Sequence, residues 1–189
     1  GVAVIFFLIV ALFASCVPPF GGDTTIYHYV IPKLYIQAGK LFFYPGNLFN
    51  MPQGIEMLYL VGLHLYKEQV GLLLNGLLGL LSIQAMYIYG KRVVDRQVGL
   101  LAALLFISIP VDVWYSIMTG KNDIGFLLYA TFTLYAMAEW KATMQPRYLL
   151  LCGVLAGFAA STKYIGLYVV LTSMAMVIWY CLRKMILER

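Results

Sequence analysis

Three carboxylates and three ammonium groups interrupt a chain that is otherwise poor in charge: Asp23, Asp112 and Asp123, with Lys33, Lys121 and Lys163. A carboxylate can take a proton from a hydroxyl, and a lysine can offset the charge of an anion such as phosphate. His28 and Glu56 add two further titratable groups in the first third of the chain. The histidines His28 and His64 stand alone, and Cys16, Cys152 and Cys181 lie in apolar runs without a C-x-x-C spacing. Neither a zinc site nor a disulfide framework is expected, and no cofactor is indicated, with a divalent metal left open. Each candidate also has a plainer role. Asp23 and Asp123 can cap helices, Asp112 can solvate its head at a helix end, Lys33 and Lys40 can snorkel, and Lys163 can be a turn residue.

The surroundings of these groups decide where they sit. Hydrophobic residues make up 62% of the 189 positions and charged ones 11%, with a mean hydropathy of +0.85. Soluble domains carry about a quarter charged residues, so the expected solvent of this chain is a bilayer. The net charge of +5 bears on orientation. No basic stripe interleaves with aromatics, which argues against nucleic acid.

The expected fold is an all-α, polytopic membrane bundle of about six transmembrane helices. The spans are 1–17, 70–90, 97 to about 120, about 124 to 138, 148–162 and 164–182. A 15-residue helix covers only about 22 Å of a roughly 30 Å core, so some spans must extend into polar flanks. A turn is expected near Ser161-Thr162-Lys163. Residues 51–66 open with Pro52 and Gly54 and contain Glu56, which favours a helix lying at the interface over a span. The chain reads as one module, residues 1–189, of a longer protein.

Residues 18–68 form the polar loop in which two interfacial helices are expected. Gly21-Gly22 makes a turn and Asp23-Thr24-Thr25 supplies N-cap chemistry. Ile26, Val30, Leu34 and Ala38 recur every four residues as an apolar stripe. Pro32 is expected to kink this helix and Gly39 to end it; Pro45-Gly46-Asn47 makes a second turn. His28, between Tyr27 and Tyr29, reads as an interfacial histidine.

With six spans and a cytoplasmic N-terminus, all five arginines fall inside, and Asp23, Glu56, Asp112, Lys121, Asp123 and Lys163 share the outer side. Asp95 and Glu139 read as solvated charge in inner loops. Threading 51–66 as a seventh span divides the basic residues ten against three and moves Lys33 and Lys40 inside. By charge alone both layouts stand.

The order "PPFGGDTTIYHYVIPKLYIQAGKLFFYPGN", then "MPQGIEMLYLVGLHLY", then "GKRVVDRQVGLLAALLFISIPVDVWYSIMTGKNDIGFLLYATF" and "GVLAGFAASTKYIGL" resembles the N-terminal part of the GT-C membrane glycosyltransferases. The nearest groups are the protein O-mannosyltransferases and the lipid A aminoarabinose transferases. The resemblance implies transfer of a sugar from a polyprenyl-phosphate donor to a protein, lipid or glycan. It implies an active site on the outer face of a bacterial or archaeal plasma membrane. It assigns Asp23 as catalytic base, matches Asp123 to the family's second acid and matches Lys163 to a Thr-Lys position that could balance phosphate; with these, His28, Lys33, Glu56, Asp112 and Lys121 are the candidates for substrate binding. Thr24 stands where many members carry a second acid, and Met51-Pro52 replaces the Lys-Pro of the aminoarabinose transferases. The competing readings are a transporter or flippase subunit and a membrane scaffold. The absence of an inverted repeat and the clustering of charge at one face speak against transport.

Overall fold

The computed structural model describes residues 2–109 and 114–187. Asp112, one of the expected binding residues, lies outside the described residues. Among the described residues the chain is all-helical, with α1 (Val2–Cys16), α2 (Val30–Ala38), α3 (Gly54–Leu65), α4 (Glu68–Val93), α5 (Arg96–Ile107), α6 (Tyr115–Thr119), α7 (Asp123–Thr143), α8 (Pro146–Thr162) and α9 (Gly166–Leu187). A π-helical turn, Thr24–His28, precedes α2, and a 3₁₀ turn, Asn47–Asn50, precedes α3.

Two of these helices, α4 and α9, are long and apolar enough to cross a membrane. At 1.5 Å per residue they extend about 39 and 33 Å. The helices α3, α5 and α8 are apolar but shorter. Large apolar side chains cover the outside, including Phe13, Leu104, Leu150, Tyr168 and Ile186. A shell of that kind has no favourable contact with water, whereas lipid tails match it.

The helix α4 is the hub, packing against α1, α3, α5, α6 and α7; α7 continues the layer to α8, and α8 to α9. The hub also carries buried polar groups. Asn75, fully buried, accepts from the Tyr59 hydroxyl at 3.0 Å and donates to the Ser116 carbonyl at 2.7 Å, joining α3, α4 and α6. Ser82 reaches the Ile124 carbonyl at 3.3 Å and so sets the start of α7 against the middle of α4. Near the other end, Arg92 of α4 donates to Glu139 of α7. Glu139 is only 8% exposed, so the expectation of a solvated loop charge is corrected: a guanidinium beside it balances a buried carboxylate.

In the first loop the π turn hands over to α2 at Tyr29, which places Pro32 in the first turn of α2, where no amide partner is needed. The stripe Ile26, Val30, Leu34 and Ala38 stays partly or fully exposed, as an apolar face resting on a membrane would. Thr24, His28, Ile31 and Pro32 are buried, and Ile26 is half exposed. Hydropathy could not reveal that face, because one of its members is a histidine paired across the fold. Gly39 does end α2 in a left-handed cap, and α8 ends at Thr162 with Lys163 as its extended cap, both as expected.

Candidate functional site

The site is assembled by the start of α3, the π turn, the turn before α7 and the α8–α9 junction. Tyr29 anchors the π turn. Its ring stacks on Tyr59 with centroids 4.8 Å apart and planes within 9°. Space for that ring comes from Gly71 and Gly120: a Cβ at either would lie within 3.0 Å of the Tyr29 hydroxyl. Gly120 also takes φ +79°, a left-handed conformation that ends α6 and that side chains disfavour. This turn then presents Lys121, Asn122 and Asp123 in sequence.

With Tyr29 fixed, His28 points inward. Only 1% of it is exposed, and its Nδ1 lies 2.5 Å from Oε1 of Glu56 on α3. The expectation of an interfacial histidine is thereby corrected: Glu56, itself 2% exposed, gives the ring a buried partner. The same Glu56 oxygen accepts from Asn122 Nδ2 at 2.9 Å, and that amide also donates to the Thr162 carbonyl at 3.2 Å. Four segments thus converge on one carboxylate and one amide.

Two ion pairs stand beside this network. Asp23 meets Lys121 at 2.9 Å, and Asp123 meets Lys163 at 2.5 Å. Neither acid serves as a side-chain helix cap. Asp23 is in helical conformation with no capping bond, and Asp123 is the first residue of α7, where the helix dipole favours negative charge. The hydrogen bond from Lys121 holds the Asp23 carboxyl below the usual carboxylate range, with the charges of Lys121, His28 and Lys163 acting in the same sense against burial. Lys121 is raised in return, chiefly by its bond to Asp23. Tyr27 lies among the acids; burial first, then the charges of Asp23, Glu56 and Asp123, push its phenol up to about 12.

A cavity of about 240 Å³ opens beside these groups, lined by Tyr27, Met51, Gln53, Glu56, Asn122, Lys163 and Tyr164, among others. Of the eight residues singled out by sequence, the structure brings Asp23, His28, Glu56, Lys121, Asp123 and Lys163 to this region. Lys33 is elsewhere, in an ion pair with Glu68 at 2.5 Å between α2 and α4. The sequence alone does not single out Tyr27 or Asn122. The clue to Asn122 was its place between Lys121 and Asp123, and Tyr27 was one of a strip of tyrosines. Among the described residues no three His, Cys, Asp or Glu side chains gather as a metal site would require.

Two cation–carboxylate pairs and a polar-floored cavity thus lie together in an apolar helical bundle. Comparison with curated proteins and with solved structures returned no match. The family described as dolichyl-phosphate-mannose-protein mannosyltransferase matches residues 57–189, which include Lys121, Asn122, Asp123 and Lys163; Asp23, His28 and Glu56 lie outside the match, Glu56 immediately before it. That match extends over well more than half of the chain and agrees with the GT-C resemblance of its motifs. The chain belongs to the dolichyl-phosphate-mannose-protein mannosyltransferase family, a family of GT-C membrane glycosyltransferases.

Proposed function

We propose that this chain is the N-terminal membrane module of a glycosyltransferase that moves a sugar from a polyprenyl-phosphate donor to a protein, lipid or glycan acceptor. In this reading α1, α4, α5 with α6, α7, α8 and α9 are six spans, and α2 and α3 lie in the first outer loop. The site then faces outward from a bacterial or archaeal plasma membrane. The observation that carries the reading is the pairing of Asp23 with Lys121 beside that of Asp123 with Lys163, whose lysine lines the cavity.

Each partner has a task in the chemistry. The donor phosphate approaches Lys121 and Lys163 and draws their ammonium groups from the two carboxylates. Asp23, released from Lys121, accepts the proton of the acceptor hydroxyl while that oxygen attacks the anomeric carbon. The bond from that carbon to the phosphate oxygen breaks, and its electron pair stays on the lipid phosphate. The lysines offset the charge that develops there. A single base opposite the leaving group gives inversion at the anomeric carbon. Asp123 positions Lys163.

The test uses the full-length protein in proteoliposomes with a labelled polyprenyl-phosphate sugar and acceptor. Replacing Asp23 by Asn is expected to lower transfer by about 10²-fold or more, the scale of general-base catalysis. Undiminished transfer removes Asp23 from the mechanism. Movement of the lipid-linked sugar across the membrane, with no transfer by the wild type, replaces the transferase reading by a flippase.

A further inference from the structure

Glu56 and Asn122 hold more hydrogen-bonding capacity than the protein uses. Glu56 Oε1 takes both bonds described for this carboxylate, one with His28 and one from Asn122. Its second oxygen, Oε2, is buried without a partner. Asn122 spends its amide nitrogen on Glu56 and the Thr162 carbonyl, which fixes the orientation of the side chain. Its oxygen Oδ1 is likewise buried without a partner. Both residues are more than nine-tenths buried and both line the cavity. Leaving a buried acceptor unpaired costs free energy, so a pair of them in one cavity calls for a ligand that brings donors.

We propose that this cavity floor is a hydroxyl-recognition subsite for the transferred sugar, in which Glu56 Oε2 and Asn122 Oδ1, both closed to solvent in the unliganded protein, turn to accept hydrogen bonds from hydroxyls of the ring. The proposal rests on the transferase reading and deepens it. Both orphan atoms are acceptors, so the ligand must present donors: a polyol fits and a phosphate does not. The volume, about 240 Å³, is below that of pockets for drug-sized ligands, about 300–1,000 Å³, and suits one monosaccharide ring. Lys163 lines the same cavity, which puts a phosphate-binding cation beside the polar floor at the reach of a single sugar phosphate. Tyr27, Pro52 and Ile165 give apolar walls for the C–H faces of the ring. His28 is a positioning residue, holding the carboxylate so that Oε2 stays free.

The experiment measures equilibrium binding to the full-length protein in nanodiscs. The probes are polyprenyl-phosphate mannose, its 2-deoxy, 3-deoxy and 4-deoxy analogues, and polyprenyl phosphate without sugar. The wild type is expected to bind the mannose donor about 10–100-fold more tightly than at least one deoxy analogue, the scale of a buried polar group left unpaired. Glu56→Gln and the milder Glu56→Asp are expected to erase most of that discrimination while binding polyprenyl phosphate unchanged, which also reports that they fold. Equal wild-type affinity for the sugar and all its deoxy analogues overturns the subsite, as does full discrimination retained by a folded Glu56 variant. Asp23-dependent transfer in the same preparations would leave the transferase reading standing in that case. Discrimination through Glu56 without any transfer keeps the subsite and removes the catalytic reading, and no binding of any polyprenyl-phosphate probe removes both.

Discussion

The Asp23 carboxylate and the Lys121 ammonium lie 2.9 Å apart and tie the loop after α1 to the turn before α7. Hydrogen bonding to Lys121 is the largest cause of the lowered Asp23 value. The stabilisation it brings is present above the unfolded carboxylate value of about 4 and is lost as the pH falls through the lower folded value. Lys121→Gln removes that cause. The acid limb of kcat/KM for sugar transfer is therefore expected to move to higher pH in this variant. The pH profile of the full-length enzyme measures it, and an unmoved limb would separate the ion pair from the catalytic base.

Lys163 caps α8, contacts Asp123 and lines the cavity. Its side chain is about one-third exposed, so the pair itself contributes little stability, on the order of the 0–1 kcal/mol of exposed pairs. Its weight should fall on binding instead. Lys163→Met is expected to weaken binding of polyprenyl phosphate about 10-fold or more, the scale of a lost charge-assisted hydrogen bond, with Lys163→Arg retaining most of it. Equal affinity in wild type and Lys163→Met would place the phosphate elsewhere.

Much of this arrangement can be read along the chain, because acids and lysines in apolar surroundings advertise themselves. The turn at Thr162-Lys163, the cap at Gly39 and the run of helices follow from local residue chemistry. What stays hidden is partnership. His28 looks interfacial until Glu56, 28 positions later, is placed against it. Asp23 has the residue type of a helix cap, and only the return of the chain at Lys121 gives it a different role. Lys33 likewise finds Glu68 at the start of α4, beyond the whole of α3 in the chain. Tertiary pairing overrode local preference in each case.

Tyr29 offers a test of how the π turn is held. Its hydroxyl is buried without a partner and abuts the positions of Gly71 and Gly120. Tyr29→Phe removes an unpaired polar atom, so it is expected to be neutral or mildly stabilising. Gly71→Ala places a methyl group 2.7 Å from that hydroxyl and is expected to destabilise by about 1–3 kcal/mol. In the double variant the clash is partly relieved, and the two effects should not add. Thermal unfolding in detergent reads all three proteins; strict additivity would mean that the Tyr29 ring does not occupy this gap.

The six-span layout differs from the seven-span one in where it puts Lys40, and cysteine labelling separates them. Lys40 and Lys67 are exposed on connecting segments and Arg96 and Arg147 in the first turns of α5 and α8, so a cysteine at each should be reachable from its own side. Cys16 and Cys181 are exposed as well and are replaced by serine in the parent, together with Cys152. If α3 stays in the outer loop, an impermeant maleimide added outside labels positions 40 and 67 and spares 96 and 147 until the membrane is opened. If α3 crosses, position 40 joins 96 and 147 on the protected side while 67 remains reactive. The energetics favour the first pattern. Glu56, with a partner for one oxygen only, would carry a carboxylate into the hydrocarbon in the second, at a cost of about 2.5–3.5 kcal/mol for a central acid. Protection of position 40 would move α3 into the membrane and put Asp23 on the inner side, away from an outward-facing site.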